Sequence, residues 1–190
     1  NVKMVQLAEE KGRLLQVCHV LRYSPFWQKL REVIDSGVLG RIVSVSHMEN
    51  LVYWHMAHSF VRGNWRNEET SGPMLLSKCC HDFDILYWLL RKKVVWLSSF
   101  GSLVHFRPEN APADAPERCT DGCPAAEQCK YDATKLYVKD TNGWPYNAVT
   151  IIPSAQARLE ELKTGWYGRC VYKCDNDVVN HQVVNMELED

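Results

Sequence analysis

No charge of one sign dominates this sequence, no apolar run is long, and no glycine-rich turn is present. Its 190 residues carry 22 lysines and arginines against 23 aspartates and glutamates. Without a basic stripe, nucleic acid is not the expected partner. No apolar stretch approaches the ~20 residues of a bilayer-spanning helix, so no membrane span is expected. The opening NVKMVQLAEEKGR puts charges where a signal peptide needs an apolar centre, which argues against secretion. The ten glycines are scattered, with no Gly-x-Gly-x-x-Gly among them. No phosphate-cradling turn of the dinucleotide-binding kind can therefore be built from these residues.

The cysteines show no paired Cys-x2-Cys knuckles either. The eight are Cys18, Cys79, Cys80, Cys119, Cys123, Cys129, Cys170 and Cys174. An even count can signal disulfides in a small secreted protein. This chain is longer, and its 46% hydrophobic content is enough for a core without covalent staples. The expected compartment is reducing, the cytoplasm. The length suits one domain, or one domain with part of another, at ~100–200 residues per domain.

What is present begins with a helix that carries Met4, Val5 and Ala8 on one face and stops at Gly12. Leu14 to Val20 is a nearly continuous apolar run, the pattern of a strand buried on both faces. Ser24 and Pro25 suit the cap and first position of a second helix, whose Phe26, Leu30, Val33 and Ile34 recur at helical spacing before Gly37. Arg41 to His47 alternates like a strand, and a long loop rich in aromatics is expected from Tyr53 to Gly72. A further helix runs from near Leu75 or Cys79 to Leu90, and a strand from Val94 to Phe100. Arg107 to Pro124 reads as a Pro-rich loop and Ala125 to Val138 as helical, with strands at Cys170–Lys173 and His181–Leu188. The order is an α/β remnant followed by mixed elements, α+β for the larger part.

The chemistry concentrates between Ser71 and Leu90. Ser71-Gly72-Pro73 leads into a helix in which His81 is followed three residues later by Asp84 and then by Ile85-Leu86-Tyr87-Trp88-Leu89-Leu90. This segment resembles the Gfo/Idh/MocA oxidoreductases, named for glucose–fructose oxidoreductase and inositol dehydrogenase. Three further stretches agree. Ala8 through Val17 looks like the last helix and strand of the family's Rossmann domain. Arg22-Tyr23-Ser24-Pro25 through Ile42 looks like the helix leading into its second domain. Asn176 through Asp190 looks like strands of its sheet.

The resemblance implies an α/β (α+β) chain. Residues 1–23 would be the end of a Rossmann domain. Residues 24–190 would be a substrate-binding and oligomerisation domain, an open, largely antiparallel sheet with helices on one face. It implies hydride transfer between NAD or NADP and a sugar, polyol or related hydroxy compound, in a homo-oligomer joined through the sheet. Such oxidation frees a proton as hydride leaves, and a histidine near pH 7 suits its removal. On this reading His81 is the base or positions the hydroxyl, Asp84 orients the imidazole or holds a second hydroxyl, and Arg22 lies on the cofactor side.

Each residue also has a plainer reading. His81 can be a helix-start histidine bonded to a carbonyl, and Asp84 a first-turn carboxylate favoured by the helix dipole. Many family members carry an Asp four residues before the histidine, where this chain has Ser77. Either the proton relay differs, or Lys78 substitutes as a cationic partner; the plainer reading is a solvated lysine. The family's Glu-Lys-Pro lysine has no counterpart in these residues. His58, Trp65 and Arg66 either line a polyol pocket or pin the loop. Cys119, Cys123 and Cys129 either hold a structural zinc, with Cys170 or Cys174 completing the set, or are free or disulfide-bonded thiols. Two other functions stay open: glycoside cleavage through transient NAD-linked oxidation, and a non-catalytic binding or dimerisation module on the same fold.

Overall fold

The computed structural model describes residues 2–190. In chain order its helices are α1 (Val2–Glu10), α2 (Pro25–Asp35), α3 (Tyr53–Met56), α4 (Glu68–Ser71), α5 (Met74–Ser77), α6 (Cys80–Leu90), α7 (Ala133–Tyr137), α8 (Tyr146–Val149) and α9 (Ala155–Thr164). Two strands, β1 (Val94–Ser102) and β2 (His181–Leu188), pair antiparallel in one sheet. The chain is thus the expected mixture of helix and antiparallel sheet, with a smaller sheet among the described residues than expected. It divides into two compact units, Asn1–Ser46 with His81–Lys92, and His47–Cys80 with Lys93–Asp190.

In the first unit, α1 ends before Gly12, whose φ of +57° opens the left-handed turn that stops it. Ser24 is extended and Pro25 takes the first position of α2, although the Ser24 hydroxyl makes no cap bond. Arg31 of α2 lies over the Trp88 ring of α6, 4.9 Å from its centroid, and donates to the Trp88 carbonyl. Asp35 at the end of α2 accepts from Arg31 (2.7 Å) and Arg91 (3.1 Å).

Three expected strands are absent. Leu14–Val20 is irregular up to the 3-10 turn at Val20–Tyr23, with Leu14 104% and Val17 70% exposed. Arg41–His47 likewise forms no strand, and Val43 is 89% exposed. A strand is a collective element, and among the described residues neither segment finds a neighbouring ladder. Cys170–Lys173 forms a turn closed by Lys173 N–H donating to the Cys170 carbonyl, and only Arg169 makes a bridge, with Arg118.

In the second unit the expected loop from Tyr53 is largely helical: α3 continues as π-helical turns over Ala57–Arg62. These turns are buried throughout, and Phe60 and Val61 join Met74, Phe106, Tyr131 and Val171 in the main core. The helix expected over Ala125–Val138 shrinks to α7. Short turns fill Cys123–Cys129, and helix begins only where the Asp132 carboxylate accepts from Thr134 N–H and Lys135 N–H. A smaller core joins Ala133 and Tyr137 to Val149 and Leu162. There Gly168 is obligatory, because a Cβ would sit 1.7 Å from the Leu162 carbonyl oxygen. On β2 the expected alternation holds: Gln182, Val184, Met186 and Leu188 are half-buried while their neighbours are exposed. No helix among the described residues is long and apolar enough to cross a membrane.

Candidate functional site

α6 places His81 in its first turn and Asp84 one turn on, so both start from one helix face. His81 is half-buried. The Asp84 carboxylate, only 8% exposed, is gripped by Arg22, whose Nε donates at 2.9 Å and whose second nitrogen donates to the other oxygen. His19 Nε2 stands 3.4 Å from the same carboxylate. A bidentate Arg–carboxylate pair of this kind is geometrically specific and fixes Asp84 in place. The structure therefore joins Asp84 to Arg22 and His19, and Arg22 to a carboxylate. Arg22 also borders a cavity of about 150 Å³ with Arg31, Tyr87, Trp88 and Arg91.

The dinucleotide implied by the resemblance does not fit these residues. Of the positive-φ glycines, Gly12, Gly37 and Gly40 follow a helix, and Gly72 and Gly143 lead only into the four-residue helices α5 and α8, whereas a phosphate-binding turn leads into a full helix.

In the second unit, Lys78 is 18% exposed and pairs with Glu49 at 3.0 Å. It is neither a freely solvated lysine nor an unpaired charge. His55 lies near this pair: burial lowers its pKa, Lys78 adds to the lowering, and Glu49 partly opposes it. Trp65 is 46% exposed and stacks on Phe60 at 5.8 Å. Arg66 donates to Asp175 at 2.9 Å and lies 4.2 Å from the Trp166 centroid, while Arg169 reaches the same carboxylate (2.6 Å) and the same ring (4.6 Å). Burial works against the Asp175 charge, but Arg66 and Arg169 outweigh it and hold the carboxyl at about 2. The Arg66 guanidinium is thus taken up by a local ion network.

His58 sits far from the role of a pocket donor. It is 3% exposed, its Nδ1 is 2.9 Å from the Tyr137 hydroxyl, and it stacks on Tyr167 at 4.7 Å and 12°. Desolvation, with His55 and Arg62 adding to it, pushes its pKa down to about 4. The unfolded chain binds this proton below ~6.5 and the folded chain does not, so stability falls as pH drops from ~6.5 to about 4. The full loss from this group is about 3 kcal/mol. Urea midpoints of wild type and His58→Phe across that window should converge at acid pH, because the phenyl ring has no proton to gain. Parallel pH curves would remove His58 as the cause.

Cys119, Cys123, Cys129 and Cys170 line one small cavity together with Arg62. None of the eight cysteines is in a disulfide. Among the described residues no three His, Cys, Asp or Glu side chains stand as a formed metal-ligating group. Burial pushes the Cys119 and Cys170 thiols up, which makes them poor nucleophiles. Glu49, His19, Tyr137 and Tyr167 are absent from the sequence-based set, and no local spacing marks them.

Residues 27–128, more than half of the chain, match the GFO/IDH/MocA C-terminal domain. The chain belongs to the GFO/IDH/MocA family. It is 32% identical over 127 residues, 65% of its length, to a Bacillus subtilis (strain 168) protein named "Putative oxidoreductase YteT". The match spans 29% of that relative's length, so this GFO/IDH/MocA chain corresponds to under a third of it. No solved structure matches. The His81–Asp84 helix and the Cys119–Cys123 turn both fall inside the family-matched residues.

Proposed function

We propose that this chain is the substrate-side part of an NAD(P)-dependent oxidoreductase acting on a hydroxyl-bearing carbon of a sugar, polyol or related compound. The observation that carries the reading is the family match running through α6, where the half-buried His81 begins the helix and Asp84 is anchored by Arg22. His81 accepts the proton of the substrate hydroxyl, and Asp84 acts as a positioning residue that sets the turn following it. Lys78, held by Glu49, supplies a fixed positive charge in its own unit, next to the Ser77 that replaces the family's usual Asp. The exposed Val95, Trp96, Phe100 and Val183 on the two-stranded sheet support assembly of like chains through that surface.

The test is turnover by the full-length protein that contains this chain. It is supplied with NAD or NADP and a panel of sugars, sugar acids and polyols, and reduced nicotinamide and the carbonyl product are followed together. The expected result is stoichiometric formation of both from at least one of these alcohols. Binding of sugars without oxidation would instead favour a non-catalytic module.

A further inference from the structure

Arg62 is the least ordinary residue in the second unit. It is fully buried, at 0% exposure, and its Nε and one terminal nitrogen donate to the Arg169 carbonyl (2.7 Å) and the Tyr131 carbonyl (2.9 Å). Its other terminal nitrogen, Nη1, is buried with no hydrogen-bond partner. The carbonyls satisfy donors but do not neutralise a cation. The buried Asp132 lines the same cavity and accepts from the Thr134 and Lys135 N–H groups, which hold its carboxylate but leave its charge. An unneutralised buried guanidinium is costly unless an anion stands close to it.

Thiols stand beside it, together with the Tyr137 hydroxyl. Arg62 lies 3.5 Å from Cys119 Sγ, and it borders the cavity that Cys119, Cys123, Cys129 and Cys170 also line. The backbone brings the four together from two distant segments. Arg118 and Arg169 form an antiparallel bridge, Cys119 N–H donates to Gly168 O (2.9 Å), and Cys170 N–H donates to Glu117 O (2.8 Å). Cys123 and Cys129 are carried inward by turns, with Ala126 N–H donating to Cys123 O and Cys129 N–H donating to Ala125 O. Much of this stretch is turn and Pro-rich loop with little regular structure of its own.

We propose that Cys119, Cys123, Cys129 and Cys170 close on a single zinc ion as a tetrathiolate, with Arg62 as its buried counter-charge. As they stand, no three of these thiols form a group that could hold a metal, so the proposal requires them to turn about their Cα–Cβ bonds toward the cavity they line. As the four Zn–S bonds form, each sulfur releases its proton to solvent, leaving a centre of charge −2 beside the guanidinium. The cavity, about 20 Å³, has room for one atom-sized occupant. Zinc takes four thiolates tetrahedrally in structural sites, and such a site would clamp the Cys119–Cys129 segment to the Cys170 turn. Cys174 lies outside the cavity lining, its thiol donating to the Cys170 carbonyl at 3.3 Å. The proposal is independent of the reaction assigned above.

The full-length protein, purified without chelator, should carry about one zinc per chain by elemental analysis. X-ray absorption should show a shell of four sulfurs at ~2.3 Å. The double variant Cys123→Ser, Cys170→Ser should lose the metal, and Cys18→Ser, an exposed cysteine in the other unit, should keep it. If the double variant does not fold, the absorption spectrum of the wild type still decides. Metal-free protein whose four thiols alkylate freely would overturn the proposal. So would disulfides among the four, or a zinc shell of nitrogen and oxygen.

Discussion

If the proposed reading holds, His81→Ala in the full-length protein should lower turnover by ~10²–10⁴, the range for loss of a general acid–base group. On that reading the rate should fall because alkoxide character on the substrate oxygen would develop without a local proton acceptor. Folding should change little, since His81 is half-buried and α6 is held by Ile85 and Leu89, which are 0% and 6% exposed. The informative companion is Asp84→Asn. It keeps shape but breaks the charge pairing with Arg22, so its effect should be smaller than that of His81→Ala and appear with a loss of local order around Arg22. Steady-state kinetics on the same substrate compare the two. Equal turnover in wild type and His81→Ala would remove the histidine from the reaction.

Arg158→Met destabilises the protein by about 3–4 kcal/mol. Arg158 is fully buried in α9 and donates to the carbonyls of Lys139, Thr141 (2.5 Å) and Tyr146 (3.4 Å), with its guanidinium 5.4 Å from the Tyr146 centroid. Methionine keeps the bulk and removes every donor, leaving these carbonyls without their partner. Lysine at the same position keeps one charged donor and should fall between the two. Denaturant midpoints at unchanged m-value measure the effect, and hydrogen exchange should rise first between residues 139 and 146. A change under about 0.5 kcal/mol would mean that water satisfies these groups.

Legibility from sequence followed how local each feature is. Helix α2 was readable because Ser24, Pro25 and the Phe26–Ile34 spacing act within a dozen residues. β2 was readable from its strict alternation. Leu14–Val20 has strand composition too, yet a strand exists only with a neighbour, and hydrophobicity alone does not supply one. The π-turns at Ala57–Arg62 were missed because His58, Ser59 and Arg62 look polar; burial there rests on partners, Tyr137 for His58 and two backbone carbonyls for Arg62. At the site, the three-residue spacing of His81 and Asp84 is local and was visible. The grip of Arg22 on Asp84, 62 residues away in the chain, was not. Spacing left Cys170 and Cys174 as equal candidates to join Cys119, and the Arg118–Arg169 bridge with its flanking backbone bonds brings Cys170 beside it.

The most direct test of the proposed reaction uses an alcohol substrate of the full-length protein deuterated at its carbinol carbon. Turnover with NAD or NADP should be slowed relative to the protiated alcohol, and the recovered reduced nicotinamide should carry the deuterium by mass spectrometry, in wild type and, far more slowly, in His81→Ala. Nicotinamide recovered without label, or product formed with the label still on its original carbon, would contradict an oxidoreductase acting at that carbon.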